Sequence, residues 1–542
     1  MFQIRPLVFT TATIGVVTIV LLADDVLSQS QVPRETLQQH KDVKEEKSGG
    51  QRHQAGNAEA GREVFRFETF GNEGFWTDAI QLPKGMENEK FTPRQALEAG
   101  LHVDADAVPA DLKKALAVEL KTDLSPENAP LLNDPKTTMR LVKANAVIGV
   151  VPRGDKVGIS CAICHTITDN SIFEMPGKGS VGRRLDGRAT HSLDMGSLLA
   201  LAANSRAYYP NLQLELGGKT VGRAPKGIRV DSTEAEVDAY LKNPDFYPRG
   251  TFDETQDGIG NPVQNTPLFR QDLAGPYGSN GLHEILHGIS NASYTTNLDP
   301  TTAATPEGKQ NLALMGGKAG EELHKNYLRV LKGTGVTGHP FVNAEKDGKP
   351  GHRDTPVGRQ VNKQKLLDMS AYLKNLPAPA GVTGDARAID RGRIAFQANC
   401  TQCHNADPGA PVSNRVLPLK EVWPGYAPVL VENRKPPLSP IENSPGGFDD
   451  KMAVVDASER GEKRGVALPL LLDLARKPAF LHDNSVPSLE TLLAPQRGDK
   501  APHPFYLKDK DQRADVVTFL KALGPNLAGH TKQGNAIDTP IK

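Results

Sequence analysis

All four cysteines of this chain sit in two copies of one pentapeptide, C-x-x-C-H. One runs Cys161-Ala162-Ile163-Cys164-His165 and the other Cys400-Thr401-Gln402-Cys403-His404. With 4 Cys and 14 His in 542 residues, random placement would produce one such pentapeptide in about one sequence in a thousand, so two are a chemical signal. The spacing has a physical reason: two thiols three positions apart can each add to one vinyl group of a haem, and the adjacent imidazole reaches the iron from the same side. The sequence therefore predicts two covalently bound haem c groups. Cys161, Cys164, Cys400 and Cys403 would be the attachment points, with His165 and His404 as proximal iron ligands. A thioredoxin-like C-x-x-C does not require the trailing His, and half of a zinc site would want a second C-x-x-C nearby, which neither copy has.

That chemistry sets the compartment, because haem is attached to this motif outside the cytoplasm. Met1 to Ala23 carries one positive charge, Arg5, followed by an uncharged run from Leu7 to Ala23 rich in Val, Ile, Leu, Ala and Thr. The expectation is a signal peptide over 1–28, cleaved after Ala23 or Ser28. The rival is an uncleaved N-terminal anchor, since the run is marginal against the roughly 20 apolar residues that span a bilayer. Either reading makes the rest of the chain periplasmic or otherwise exported, and with no Cys after the run a bacterial lipid anchor is excluded. Residues 29–61 include QQHKDVKEEKSGGQRHQAGNAEAG and hardly any large apolar side chain. They read as a disordered tether in which His40 and His53 are solvated. Lys+Arg and Asp+Glu are equal at 64 each, so there is no basic surplus to neutralise a phosphate backbone, and nucleic acid is not an expected partner.

The two pentapeptides have different surroundings. Upstream of Cys400, AIDRGRIAFQANC carries Ile389, Ile394, Ala395 and Phe396 with Gly392, as in the short first helix of a cytochrome c domain. Near the end, ADVVTFLKAL places Val516, Val517, Phe519, Leu520 and Leu523 at helical spacing. Cys161 instead follows ANAVIGVVPRGDKVGIS, a β-branched, glycine-punctuated run that reads as strand or loop. The expected fold class is mainly α with extensive loops. It comprises two c-type cytochrome domains, an enlarged N-terminal one over 62–376 and a C-terminal one over 385–525, joined by a linker at 377–384 and followed by a polar tail at 526–542. The 51 Gly and 41 Pro, against only 17 Phe, 10 Tyr and 2 Trp, fit a core that borrows bulk from cofactors and wraps them in loops.

Two pentapeptides 239 residues apart, followed by PAFLHDNSVPSLETLL, resemble the bacterial di-haem cytochrome c peroxidase superfamily, whose second domain carries a similar apolar-HDGS-apolar stretch. The di-haem enzyme that matures methylamine dehydrogenase belongs to that superfamily, and the rubber oxygenases are more distant relatives. GREVFRFETFGNEGFWTDAIQL, CAICHTITDNS and VGRRLDGRATHSLDMGSLLALAANS are similar to a longer branch of exported di-haem cytochromes. The resemblance implies one haem that stores an electron and another open to peroxide, supplied by a small redox donor protein, a cytochrome or cupredoxin. Its rivals are a non-catalytic electron-transfer cytochrome and a di-haem oxygenase that acts on dioxygen and a polymer or protein.

The peroxidases place a Met ligand shortly after the HDGS stretch, but this chain has no Met after Met452. His503 and Met452 are therefore the candidate sixth ligands of the second haem, while His482 matches the HDGS histidine, which lies near the haem without ligating it. His530 reads as solvated. For the first haem the candidates are His191, Met195 and Met175, and the pair His283 and His287. His283 and Glu284 are candidate catalytic residues, a distal pair able to move protons. His283-Glu284-Ile285-Leu286-His287 is also formally H-E-x-x-H, which on a helix would hold zinc with Glu321 or Glu322 as third ligand. Asp253, Asp257 and Asn261 in FDETQDGIGNP could bind calcium on a flexible turn, against a plain Asp-Gly turn. Trp76 and Trp423 are candidates for an electron bridge between haems, against ordinary buried packing.

Overall fold

The computed structural model describes residues 56–220, 224–260, 262–279, 281, 283–413, 415–422, 424 and 465–527. Helix outweighs strand among them, and the strands are short hairpins and bridges in a loop-rich chain.

Order begins earlier than the expected tether allows. Asn57 caps α1 (Ala58–Phe67), its side chain accepting from the Glu59 and Ala60 N–H groups, and the helix buries Gly61, Val64 and Phe65. A cap plus an apolar stripe is enough to order residues 58–61, which composition alone placed in the tether. Next, β1 (Val150–Arg153) and β2 (Lys156–Ile159) form an antiparallel hairpin with Val150 opposite Ile159. The glycine-punctuated run before Cys161 is thus a strand pair, and it delivers the chain into α2 (Ala162–His165), the single helical turn of the first pentapeptide. Immediately after it, β3 (Thr166–Thr168) pairs with β4 (Arg184–Asp186). Then come α3 (Met195–Leu199) and α4 (Leu286–Ala292), the latter running into a π-helical turn over Ser293–Asn297. The long α5 (Pro306–Gly333) and α6 (Lys363–Asn375) complete this part, and α6 packs along α1.

In the C-terminal part α7 (Ala386–Asn399) leads into the second pentapeptide and packs on α8 (Lys510–Ala522). Val516, Val517, Phe519, Leu520 and Leu523, the apolar set picked out by helical spacing, are all buried. Between these helices β5 (Val416–Pro418) pairs with β6 (Gly465–Ala467).

Two large hydrophobic clusters result. One runs from Val64 to Leu373 and the other from Ala395 to Leu523. A small third cluster of Phe269, Ala378 and Leu472 draws on both parts. Polar contacts join the same parts: Arg188 pairs with Asp473 at 3.0 Å, the Gln264 N–H donates to the His482 carbonyl at 2.7 Å, and the Val412 N–H donates to the Leu273 carbonyl at 2.9 Å.

Candidate functional site

At the first pentapeptide, one helical turn brings Cys161, Cys164 and His165 together at the mouth of the β1–β2 hairpin, all three half-buried. His165 Nδ1 lies 2.8 Å from the Thr266 carbonyl oxygen. A carbonyl only accepts, so Nδ1 carries the proton and Nε2 keeps its lone pair, the tautomer that a histidine ligand needs. Burial pushes this imidazole down to about 4 against the opposing pull of the Thr266 bond, so it is neutral at physiological pH. The Cys161 thiol lies 3.3 Å from the Tyr294 hydroxyl, which the π turn holds in place and which donates to the Glu68 carbonyl at 3.1 Å. Burial raises the Cys161 thiol to about 11 and Cys164 further still. Neither is the low-pKa thiolate of a redox C-x-x-C pair.

The loops around this turn are tied to it. The Thr190 N–H donates to the Cys164 carbonyl at 2.9 Å, and Asn265 Nδ2 donates to the Thr190 carbonyl at 3.1 Å. Glu254 completes the surroundings, close enough to Cys164 to raise the thiol's pKa. Glu254 is exposed by accessible area, while desolvation by the surrounding protein raises its carboxyl from 4.5 to about 7. Sequence reasoning chose its neighbours Asp253 and Asp257 and passed over Glu254, since no spacing or composition marks it.

At the second pentapeptide, α7 ends at Cys400, whose carbonyl accepts from the His404 N–H at 2.9 Å. His503 is brought to face His404, with ring centroids 6.1 Å apart and planes at 48°. Two imidazoles bound to one metal from opposite sides, each nitrogen about 2 Å away, have centroids roughly 6 Å apart. The Nδ1 atoms of both rings are buried without a hydrogen-bond partner. The loop that presents His503 is clamped. Its N–H donates to the Val422 carbonyl at 2.7 Å, and Arg497 donates to the His503 carbonyl at 3.0 Å and to the Pro502 carbonyl. His503 has φ +53°, a conformation that costs a non-glycine residue about 1–3 kcal/mol and so has to be imposed by its surroundings. Burial first, then the nearby His404 and Arg497, hold its ring down at about 3, leaving it neutral. Both donor sets suit a covalent haem c: paired half-buried thiols with a neutral imidazole beside them, and at the second site another imidazole opposite.

The remaining candidates fall elsewhere. His191 lies beside the first pentapeptide through Thr190, with its Nδ1 buried and unpartnered. Met195 is core on α3, and Met175 packs half-buried against the first cluster. The H-E-x-x-H reading fails on geometry. His283 sits in a β-bridge with Tyr277, Ile285 is extended, and the helix starts only at Leu286, so the two imidazoles do not share a helical face. His287 bonds Asp354 at 3.1 Å, and Glu322 on α5 accepts from the Gly217 N–H at 3.0 Å. Among the described residues no three His, Cys, Asp or Glu side chains gather as a metal would require. Glu284 is exposed beside the bridge. Asp253 is buried, and its carboxylate accepts from the Thr255 N–H at 3.1 Å, while Asp257 is buried and held up at about 6 by that burial. Trp76 is fully buried, edge-on to Phe75, and donates to the Leu298 carbonyl at 3.1 Å, which is the packing role. Asn261, Trp423, Met452, His530, His40, His53 and the expected signal segment lie outside the described residues. Among those described, no helix is long and apolar enough to cross a membrane.

No family model matches the chain, and no curated protein does. Among solved structures, hydrazine synthase of Kuenenia stuttgartiensis, pressurised with 20 bar xenon, aligns over 49% of this chain and 74% of that chain. The identity is 14% and the TM-score 0.25, a likeness that carries no argument.

Proposed function

We propose that the chain is an exported di-haem c-type cytochrome oxidoreductase that takes electrons from a small donor protein, a cytochrome or cupredoxin, and reduces peroxide at its first site. The observation that carries this reading is the facing of His404 and His503 at 6.1 Å beside Cys400 and Cys403, in a chain whose other pentapeptide sets a neutral His165, bonded to Thr266, beside its two thiols. Haem, when bound, supplies one-electron chemistry and an iron centre; the chain's residues do the rest. Cys161 and Cys164 would hold the first haem and Cys400 and Cys403 the second. Thr266 fixes the His165 proton on Nδ1, leaving Nε2 free to bind an iron held there. With a haem at the second site, His503 would offer a second nitrogen, which would suit that site to storing an electron rather than binding peroxide. Glu254, within electrostatic reach of Cys164, has its carboxyl raised to about 7, so it can give up and regain a proton at neutral pH, as a general acid must. His283 and Glu284, on the Tyr277 bridge, are the alternative proton carriers.

The deciding experiment uses the purified, exported protein. A pyridine haemochrome assay should count two haems per chain, and none would sink the whole reading. Stopped-flow mixing of the reduced protein with hydrogen peroxide should oxidise it. Glu254→Gln should slow that step at least tenfold, whereas Glu284→Gln should leave it unchanged. Two haems with no spectral response to peroxide would remove the peroxidase step and leave the non-catalytic carrier, which the closed second site also suits.

A further inference from the structure

His165 is held by more than its own bond to Thr266, and the other holds converge on Thr190. The Thr190 N–H donates to the carbonyl of Cys164, the residue before His165, at 2.9 Å. Its hydroxyl donates to the carbonyl of Thr166, the residue after His165, at 3.2 Å. One buried residue, 1% exposed, thus spans the histidine and pins the main chain on both sides of it. Thr190 is pinned in turn. Buried Asn265 donates from Nδ2 to the Thr190 carbonyl at 3.1 Å, and the Asn265 N–H donates to the Gly250 carbonyl at 2.9 Å. One residue earlier, Gln264 bonds the His482 carbonyl at the seam between the two hydrophobic clusters. One residue later comes Thr266, whose carbonyl takes the His165 Nδ1 proton at 2.8 Å. The contacts close a ring: from His165 to Thr266, along the chain to Asn265, across to Thr190, and back to both neighbours of His165. A hydrogen bond keeps its length and angle only while the segments that carry donor and acceptor hold their separation, and this ring fixes that separation.

We infer that Thr190 is the positioning residue of the first site: by clamping the main chain on both sides of His165, it sets how firmly Nδ1–H is held by Thr266. Through that bond it sets how readily Nε2 gives its lone pair to a metal, because a partner at the far nitrogen orients a histidine ligand and raises its basicity. The effect on a haem rests on the di-haem reading. A more basic imidazole favours ferric over ferrous iron, so a loosened bond raises the midpoint potential.

The test compares wild-type holoprotein with Thr190→Val, Thr190→Ser and Thr138→Val by spectroelectrochemistry. Valine fills the volume of threonine without the hydroxyl, and serine keeps the hydroxyl. Thr138 is the matched control, since its buried hydroxyl also donates to a main-chain carbonyl, that of Phe91 at 2.8 Å, with no part in the ring around His165. Thr190→Val should raise the midpoint potential of one haem and leave the other alone, Thr190→Ser should return it to the wild-type value, and Thr138→Val should change neither. Loss of one haem from Thr190→Val alone counts for the role as well. Should Thr190→Val fail to fold, Asn265→Leu takes the donor from the Thr190 carbonyl and is read in the same way. Wild-type potentials at both haems overturn the role, and so does an equal shift in Thr138→Val, which would mark a general loosening of the core. A haemochrome assay on each sample keeps the two readings apart. Wild-type chains without haem count against the di-haem reading only. Deuterium exchange at the His165 ring carbon between the two nitrogens, followed by mass spectrometry, then decides: it should run faster in Thr190→Val than in wild type and Thr138→Val, and equal rates overturn the positioning role.

Discussion

His503 shows how much one residue can be made to do by its loop. Three backbone carbonyls, those of Val422, Pro502 and His503 itself, are tied by N–H groups of His503 and Arg497 to hold an imidazole at φ +53° opposite His404. His503→Ala should therefore leave the second haem short of a ligand: its low-spin spectrum should change to one that binds carbon monoxide, and His503→Met should recover a low-spin form. An unchanged spectrum in His503→Ala would pass the ligand role to another residue, with Met452 the first to replace. The Glu254 carboxyl carries a pH signature. Its pKa is about 7 when folded and 4.5 ordinarily, so from pH 4.5 to 7 the folded chain keeps a proton that the unfolded chain has released. Stability then falls as pH rises through that window and levels off above it. Asp257, raised to about 6 by burial, acts in the same direction over a narrower range. Glu254→Gln should flatten the fall in melting temperature between pH 5 and 7, and a slope equal to wild type would refute the raised pKa. Of these side chains the sequence marked His503, because the usual Met was missing and a His stood nearby. It could not mark Glu254, whose character comes wholly from what encloses it.

The helices were the most readable elements, and the reason is local. In α8 the apolar residues repeat with the helical period and meet α7 first of all, with Leu474 and Leu489 packing on as well. Less visible from spacing is how close the two axes come. A Cβ on Gly392 would lie 2.0 Å from the Asp515 carbonyl oxygen and 2.8 Å from Phe519 Cβ, so only glycine lets α7 seat on α8. Gly392→Ala should cost about 1–3 kcal/mol through overpacking and lower the melting temperature by several degrees. Gly333→Ala, where an added Cβ meets nothing within 4 Å, should be neutral or slightly stabilising. Equal effects at the two positions would mean that the close approach does not matter. Gly61 plays the matching part where α1 crosses α6, with the Asp368 carbonyl oxygen 1.9 Å from its would-be Cβ. The β1–β2 hairpin was half legible for a similar local reason: its β-branched, glycine-punctuated run reads as strand or loop, and the structure resolves it as two paired strands around a Gly-Asp turn. The H-E-x-x-H pattern misled because it straddles the start of α4: a motif written in residue types says nothing about where the helix begins.

Across the whole molecule, the seam is what the sequence hid most completely. Gln264 reads as an unremarkable loop residue. Yet its N–H bonds the His482 carbonyl, its amide reaches the Ala479 carbonyl at 2.9 Å and the Asn484 side chain, and two residues on Thr266 holds His165. Such pairings join chain segments from about 100 to more than 200 residues apart, for which no local pattern exists. Gln264→Ala strips the amide contacts and leaves the Ala479 carbonyl wanting a donor, at about 1–3 kcal/mol. Calorimetry should then show the single unfolding transition of wild type broaden or split, as the C-terminal segment releases before the N-terminal core; one sharp transition at an unchanged temperature would deny the coupling. The same docking puts the chain's manufacture in order. Cys161 precedes the Ala479–Asn484 strap that latches beside it by some three hundred residues, so a chain that emerges from its N-terminus presents the first attachment loop before that strap can close. On the di-haem reading, a bulky ring would have its easiest entry then, and the final stretch of sequence would work as the fastener of a pocket filled earlier.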